Sequence, residues 1–282
     1  MQRERITDNI LVFRSDQYVQ VTAGVVLTSA GAVLIDTLLY PEESQRICRF
    51  IESRLGYEVA FVINTHFHAD HSTGTCFFPA AQVIAHRLCR DLLDTRGRAG
   101  LQHLKKSSPE FESVRLVLPN IVFDDELTLR LGDTTISMWS SPGHSPDSIV
   151  CLVEEEDVLF AADTVMPIPF FVDGDCEDFK RSLRRLRNAT FENIVQGHGD
   201  IILRGEAAEK LDSDLAYIDL LDRAVAESAD LDMNEAEERI TAEDCGKSRV
   251  LLNGVVRELH RQNVRSLLER HRRSSQDASS LL

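Results

Sequence analysis

The sequence lacks long apolar runs, which argues against a protein that crosses or enters a membrane. The longest runs, such as AGVVL and IVCLV, are far shorter than the roughly 20 residues that a membrane-spanning helix needs. The first residues, MQRERITDNILVF, are charged and lack the continuous apolar segment of a secretory signal. We therefore expect a protein that is not exported and has no membrane partner.

Paired cysteine motifs are also absent. The six cysteines are scattered without a CxxC pair, and none has the spacing of a zinc knuckle; they are Cys48, Cys76, Cys89, Cys151, Cys176 and Cys245. In a chain of 282 residues, such cysteines are typical of the reduced thiols of a cytosolic protein. The cysteine pattern therefore predicts a cytoplasmic location.

Positive charge is scarce, with 31 Lys and Arg against 46 Asp and Glu and a net charge of −15. Proteins that bind nucleic acids usually present a basic face to the phosphates, so we predict no nucleic-acid partner. Residues 206–244 carry most of the acidic excess, and residues 247–273 carry a local basic excess. Two solvated helical faces of complementary charge explain this pattern better than a binding tail.

The first 205 residues alternate between β-rich segments and helical patterns. A hairpin is predicted for the segment YVQVTAGVVLTSAGAVLIDT. A helix is predicted after Pro41, where apolar residues recur at helical spacing, and a further helix is predicted over residues 177–187. Other β-rich segments include VAFVIN, AQVIAH, TISMW, DSIVCLV and VLFAAD. Residues 96–111 are predicted to form an irregular polar insertion at the surface. Strands dominate both halves, which predicts two sheets packed face to face with helices outside.

The pattern becomes entirely helical after residue 205. We predict a main domain over residues 1–205, a helical extension over residues 206–273 and a disordered tail over residues 274–282. Two roles for the extension fit the sequence equally well. It caps a site on the main domain, or it forms the contact of a homodimer.

Three of the nine histidines lie within six residues, in the stretch VINTHFHADHSTG. His66 and His68 follow a β-rich segment, and strand periodicity would point both side chains to the same side. Asp70 and His71 come next, at the turn into a helix predicted to start near Ser72. Two pairs of ligands are too many for one catalytic metal that keeps an open coordination position. Two adjacent metals fit the cluster better.

Three more candidate ligands lie where β-rich segments end. His144 is in SSPGHSPDS, Asp163 ends VLFAAD, and His198 lies between two glycines in QGHGD. Functional loops cluster at strand ends, so these residues can join the histidine cluster. Histidine with carboxylate suits zinc best, and iron and manganese are alternatives. Asp147, in SPDS, is predicted to be a turn or helix-cap group and not a ligand.

The chain resembles the metallo-β-lactamase superfamily over residues 10–205. The resemblance is carried by four motifs in the same order as in that superfamily: HxHxDH, PGH, a strand-terminal aspartate and GHG. The resemblance implies an α+β fold, a four-layer αββα sandwich with the metal site along one sheet edge. It also implies two divalent metal ions. The first would be bound by His66, His68 and His144 and the second by Asp70, His71 and His198, with Asp163 bridging the two.

The reaction that such a site implies is metal-assisted hydrolysis. Two cations about 3.5–4 Å apart lower the pKa of a shared water from about 15.7 towards 7. The hydroxide attacks an electrophilic carbonyl or phosphoryl centre. Asp163 would hold the metals together and Asp70 would orient the water, so both are predicted to be catalytic.

Differences from subgroups of the superfamily narrow the substrate. Its β-lactamases are usually exported and lack the aspartate bridge, its nucleases carry basic segments or an inserted domain, and its flavin-linked diiron members have glutamate where His68 stands. The sequence therefore favours a glyoxalase II-like or lactonase-like hydrolase acting on a small ester, thioester or lactone. The alternatives are a persulfide dioxygenase-like mononuclear iron enzyme, a phosphodiesterase, a promiscuous β-lactamase and a non-enzymatic binding module.

The apolar residues 166–171, directly after Asp163, are the strongest sequence feature that bears on specificity. Prolines keep this segment, MPIPFF, out of a helix. It fits the wall of an apolar acyl pocket, and it fits a hydrophobic plug under the C-terminal helices equally well.

Overall fold

The computed structural model describes residues 1–280, with side chains of the last helix described as far as Arg273. Its first sheet has seven strands in chain order: β1 (Gln2–Arg5), β2 (Ile10–Arg14), β3 (Thr22–Thr28), β4 (Gly31–Ile35), β5 (Val59–Ile63), β6 (Gln82–His86) and β7 (Ile121–Phe123). Strands β1 to β4 pair antiparallel, and β4 to β7 pair parallel. Because parallel strands end at the same edge, the loops after β4 and β5 lie side by side.

The second sheet has six strands in the order β13-β12-β11-β10-β9-β8. Their bounds are β8 (Glu126–Leu131), β9 (Thr134–Ser140), β10 (Ile149–Val153), β11 (Val158–Ala162), β12 (Asn193–Gln196) and β13 (Ile202–Leu203). The inner faces of the two sheets share one buried cluster, which includes Val26, Ile35 and Ile63 from the first sheet and Met138, Cys151 and Phe160 from the second. A Cβ on Gly24 would come within 2.0 Å of the Phe160 ring, so glycine at this position lets the sheets approach closely.

Eight α-helices occur in residues 1–280: α1 (Pro41–Arg49), α2 (Ala69–Ser72), α3 (Arg87–Leu92), α4 (Arg98–Ser107), α5 (Cys176–Arg187), α6 (Arg204–Glu227), α7 (Met233–Arg239) and α8 (Val256–Ser280). Helix α1 buries Ile47 on the outer face of the first sheet. Helix α5 buries Phe179 and Leu183 on the outer face of the second sheet. The layers are therefore helix, sheet, sheet and helix, which confirms the predicted α+β sandwich.

The segment 96–111 differs from the irregular insertion that its polar composition predicts. Most of it is helical, since α4 covers Arg98–Ser107 and a turn of π-helix, Leu93–Gly97, precedes it. Leu101 and Leu104 pack against a small buried cluster. Two apolar contacts in a mostly polar stretch are too few to give clear helical periodicity, so the sequence pattern does not predict this helix.

The C-terminal segment is helical, as predicted, and packs directly on the second sheet's helix layer. Leu211 and Leu221 of α6 and Val264 and Leu268 of α8 belong to the same buried cluster as α5. Helix α8 continues through residues 274–280, where the sequence predicts disorder, because extending an existing helix requires only one further residue to be ordered at a time. Residues 281–282 lie outside the described residues. Each helix in the described part of the chain is too short or too polar to cross a bilayer.

Candidate metal centre

The seven predicted ligand residues come together at one edge of the sandwich. His66 and His68 lie in the loop after β5, and Asp70 and His71 lie in the single turn of α2. The short helix α2 begins at Ala69, three residues earlier than predicted. The other three residues follow the ends of β9, β11 and β12; they are His144, Asp163 and His198.

The ligand atoms form two groups. The first is His66, His68, His144 and Asp163, and the second is Asp70, His71 and His198; within each group, one donor atom per residue lies within 4.8 Å of the others. In the first group, His68 Nδ1 is 3.1 Å from His66 Nε2 and 2.9 Å from His144 Nε2. Three ring nitrogens therefore face a common space.

Asp163 lies between the two groups and contacts both. Its Oδ2 is 3.3 Å from His144 Nε2 and 3.5 Å from His198 Nε2, and its Oδ1 is 3.3 Å from His71 Nε2. A Cβ on Gly197 would come within 1.8 Å of Asp163 Oδ1, so only glycine allows the carboxylate this position. This is the placement that a bridging ligand requires.

Backbone carbonyls orient one histidine of each group. The Phe170 carbonyl accepts a hydrogen bond from His144 Nδ1 at 2.7 Å, and the Val19 carbonyl accepts one from His198 Nδ1 at 2.9 Å. Each bond places a ring proton on Nδ1 and directs Nε2 into the centre. Metal-binding histidines are commonly held this way, because the donated N–H fixes both tautomer and ring orientation.

Carboxylates orient two further histidines. Asp173 accepts a hydrogen bond from His68 Nε2 at 2.9 Å, and Asp36 accepts one from His71 Nδ1 at 2.8 Å. Asp36 also accepts the Thr65 N–H at 2.9 Å and the Thr65 hydroxyl at 2.8 Å. The carboxylate of Asp36 therefore joins the end of β4 to the ligand loop.

Asp36 is a site residue that the sequence motifs did not identify. It occupies a left-handed backbone conformation with φ 60°, which Asp adopts more readily than most residues other than glycine. One signal could have identified it: Asp36 follows the apolar strand β4 directly, just as Asp163 follows β11.

Asp147 lies in a turn and belongs to neither ligand group, as its sequence context predicts. It is fully buried, and its Oδ2 accepts the backbone N–H of Phe67 at 2.7 Å. Burial raises the pKa of this carboxyl above its usual value. Since Phe67 lies between His66 and His68, Asp147 holds the ligand loop in place, and its role depends on a contact 80 residues away that no local motif indicates.

Two buried atoms at the centre of the site lack a hydrogen-bond partner among the described residues. They are Nε2 of His71 and Oδ1 of Asp163. Buried polar atoms are nearly always satisfied, and a cation between these two would satisfy both. Imidazole and carboxylate together suit zinc, iron or manganese. The residues present therefore fit divalent metal binding.

The electrostatics of the centre also favour a cation. Burial lowers the pKa of His144 to about 4 and that of His66 well below its usual value, so both rings are neutral at pH 7. Burial acts in the same direction on His198, but the Asp163 and Asp70 carboxylates outweigh it and raise the pKa of His198 to about 10. The carboxylates that attract this proton would also attract a metal ion, which competes with protons for histidine.

An apolar pocket of about 360 Å³ opens beside His68. Its apolar walls come from Phe67, from α4 and its neighbouring turns, and from residues 114–117, and include Leu93, Leu101, Leu104, Val114, Leu116 and Val117. Its polar lining includes Arg96, Arg115 and Asp173. A larger cavity of about 570 Å³ lies between α6 and residues 246–253, but its described lining residues include none of the seven ligand candidates. Of these two cavities, the pocket beside His68 is the one whose lining includes a ligand candidate.

The apolar segment 166–171 does not line this pocket. Met166, Ile168 and Phe171 are buried, and the latter two belong to the cluster formed with α6 and α8. Of the two roles that the sequence allows, the segment therefore takes the structural one under the C-terminal helices.

Residues 17–205 match the family model of the metallo-beta-lactamase superfamily. Similar proteins include a beta-lactamase-like protein 2 homolog from Caenorhabditis elegans, 24% identical over 66% of this chain and 57% of the relative. Another is thioesterase pkgB from Emericella nidulans, 26% identical over 64% of this chain and 46% of the relative. A third is an atrochrysone carboxyl ACP thioesterase from Aspergillus fumigatus, 26% identical over 62% of this chain and 49% of the relative. The chain thus spans about half the length of the curated relatives it matches.

Two solved structures share the fold. A metallo-beta-lactamase family protein from Thermus thermophilus superposes with a TM-score of 0.68, covering 93% of this chain and 94% of that one at 17% identity. A metallo-beta-lactamase from Pontibacter korlensis gives a TM-score of 0.63, with 77% and 98% covered at 20% identity. With the fold, the His/Asp clusters and the family match in agreement, the chain belongs to the metallo-β-lactamase superfamily.

Proposed function

We propose that the protein is a metal-dependent hydrolase that cleaves a small ester, thioester or lactone with two divalent metal ions, most favourably zinc. The observation that carries this proposal is the position of Asp163 between two groups of buried ligand atoms. Each group provides three ligand candidates besides Asp163, which supports two metals over a mononuclear centre. The thioesterase names of two relatives support an acyl substrate.

The metals would supply a water of lowered pKa and would polarise the carbonyl of the substrate. The protein's own residues provide the rest. The neutral rings of His66 and His144 offer lone pairs, and Asp163 contributes negative charge to both metal positions. Burial raises the pKa of Asp70, but His71 and His198 outweigh it and lower that pKa to about 2. Asp70 is therefore ionised at neutral pH and would orient the attacking water by accepting its hydrogen bond.

The pocket beside His68 supports the choice of substrate class. Its leucine and valine walls would bury an apolar acyl group, and because His68 lines the pocket, the carbonyl would lie close to the first ligand group. A pocket of about 360 Å³ suits a small organic molecule and not a polymer. The net charge of −15 further disfavours polyanionic substrates.

We expect purified protein to bind about two divalent metal ions per chain, because two complete ligand groups are present. Metal content measured by inductively coupled plasma mass spectrometry at neutral pH, after incubation with excess zinc and desalting, checks this. The variant His103→Ala, which removes a histidine outside both groups, should bind the same amount. A wild-type ratio that stays at or below one would contradict the two-metal site.

We expect neutral acyl thioesters, esters or lactones to be hydrolysed faster than RNA, DNA or phosphodiesters, because the pocket is apolar and the protein is acidic. The measurement is kcat/KM for each substrate with metal-loaded protein. Rapid cleavage of nucleic acid with inert carbonyl substrates would refute this substrate class.

A matched pair of variants connects the activity to the pocket. Leu101→Trp fills the pocket and should raise KM for long acyl groups more than for acetyl. Leu88→Trp, at an exposed position of α3, should leave KM unchanged for long acyl groups and for acetyl.

A further inference from the structure

The loop of residues 169–174 contacts two histidines of the first ligand group. Its Phe170 carbonyl accepts the hydrogen bond from His144 Nδ1 at 2.7 Å. Its Asp173 carboxylate accepts the hydrogen bond from His68 Nε2 at 2.9 Å. The orientation of both rings therefore depends on where this loop lies.

Helix α8 holds the loop through Asn263, which is completely buried. The side-chain Nδ2 of Asn263 donates to the Pro169 carbonyl at 2.7 Å, and its Oδ1 accepts the Phe171 N–H at 3.3 Å. The amide thus binds the residues on either side of Phe170. The direction of the Phe170 carbonyl follows from these two bonds.

The same helix holds the other end of the loop. Arg270 follows Asn263 by seven residues, two helical turns, and so lies on the same face of α8. Its guanidinium donates to the Phe171 carbonyl at 3.3 Å and to the Gly174 carbonyl at 2.8 Å. Asp173 lies between these two contacts.

A buried hydrogen-bond chain agrees with this direction of the Asn263 amide, which its two bonds to the loop already define. His260 Nε2 donates to the Ile240 carbonyl at 3.0 Å, so its Nδ1 accepts from the Tyr217 hydroxyl at 3.0 Å. The Tyr217 oxygen in turn accepts from Asn263 Nδ2 at 3.1 Å. With its nitrogen directed to Tyr217 and Pro169, the Asn263 oxygen faces the Phe171 N–H.

We infer that Asn263 is a positioning residue for the first metal, and that helix α8 sets the orientation of His144 and His68 through the 169–174 loop. The inference rests on the proposed function in one respect, that the first ligand group binds a metal. The second group is oriented by other partners, since His71 donates to Asp36 and His198 donates to Val19. Loss of the Asn263 contacts should therefore affect the first metal selectively.

The test uses Asn263→Leu, which keeps a similar volume and removes both bonds to the loop. Tyr217→Phe is the matched control, because it weakens the same buried network and leaves Asn263 bound to Pro169 and Phe171. Thermal unfolding of both variants gives their loss of stability. The comparison separates positioning from general destabilisation.

The first measurement is NMR of the imidazole N–H protons in metal-free protein. The wild type and Tyr217→Phe should show the His144 Nδ1–H signal, identified by its disappearance in His144→Ala. Asn263→Leu should lose that signal or shift it strongly, and should keep the His198 Nδ1–H signal. An unchanged His144 signal in Asn263→Leu would overturn the inference, whatever the metals do.

The second measurement is metal affinity, by competition with a chelator, with His144→Ala and His198→Ala used to assign the two sites. Asn263→Leu should bind the first metal about 10-fold more weakly or worse, in the range found for groups that orient metal ligands. The second metal should bind nearly as in the wild type. Equal weakening of both metals, or a loss matched by Tyr217→Phe, would refute positioning. A wild type that binds no metal would instead refute the proposed function.

Discussion

Asp163→Asn should lower kcat/KM by at least about 100-fold and reduce the metal content below two per chain. The amide keeps the shape of the carboxylate but offers only one neutral oxygen, whereas Asp163 contacts His71 through Oδ1 and both His144 and His198 through Oδ2. The variant therefore removes the single negative charge shared by both ligand groups. Two cations held close together would then repel each other without the anion that offsets them.

Asp157→Asn is the matched control for this prediction. It makes the same chemical change on an exposed aspartate at the other end of β11, directly before Val158. Its left-handed conformation, φ 50°, suits asparagine as well as aspartate. We expect activity and metal content within twofold of the wild type. An Asp163→Asn protein that kept two metals and full activity would show that the bridge is assigned to the wrong residue.

Asp36→Asn should weaken binding of the second metal by about 10- to 100-fold and lower activity accordingly. Asparagine tolerates the left-handed backbone at this position, so the loop after β4 keeps its path. The amide can accept only through one oxygen, while Asp36 accepts from Thr65 N–H, Thr65 hydroxyl and His71 Nδ1. At least one buried donor would lose its partner, at a cost of about 1–3 kcal/mol of folding free energy.

The measurements for Asp36→Asn are chelator competition for metal affinity and chemical denaturation for stability. Asp157→Asn serves again as control, since it is also an aspartate with positive φ but is exposed. An Asp36→Asn protein with wild-type affinity for both metals would mean that His71 needs no carboxylate to orient it.

The ligand candidates could be predicted because each one stands in a short local pattern. The stretch from His66 to His71 follows a β-rich segment, and Asp163 directly follows an apolar strand. The structure brings these residues and the two remaining histidines together in two groups. The four-layer fold was predictable for a similar reason, because the period of the apolar residues distinguishes strands from helices along the chain.

The groups that orient the ligands could not be predicted this way. Asp36 reaches His71 across 35 positions, Asp147 reaches Phe67 across 80, and Asn263 reaches Pro169 across 94. Each is a single polar residue whose partner is a backbone group or a distant ring, so no spacing rule marks it. For Asp147 the local context predicted a turn residue, because Ser and Pro flank it in the sequence, and the structure places it in a turn. That context does not indicate the contact of its side chain with Phe67.

The contact between His198 and the Val19 carbonyl bears on the order of events after synthesis. These residues are 179 positions apart, and the neighbouring Val21–His198 bridge and the Thr22–Gly197 hydrogen bond join the first sheet to the second. Closing so long a loop carries an entropic cost that only the packed sheets can offset. Until the sheets have joined, His66, His68, Asp70 and His71 are the ligand candidates that lie together in the sequence. In the proposed two-metal centre these four residues bind different ions, so a metal captured at this stage would be shared between them. We therefore expect correct metal loading to follow folding, after the two sheets have joined.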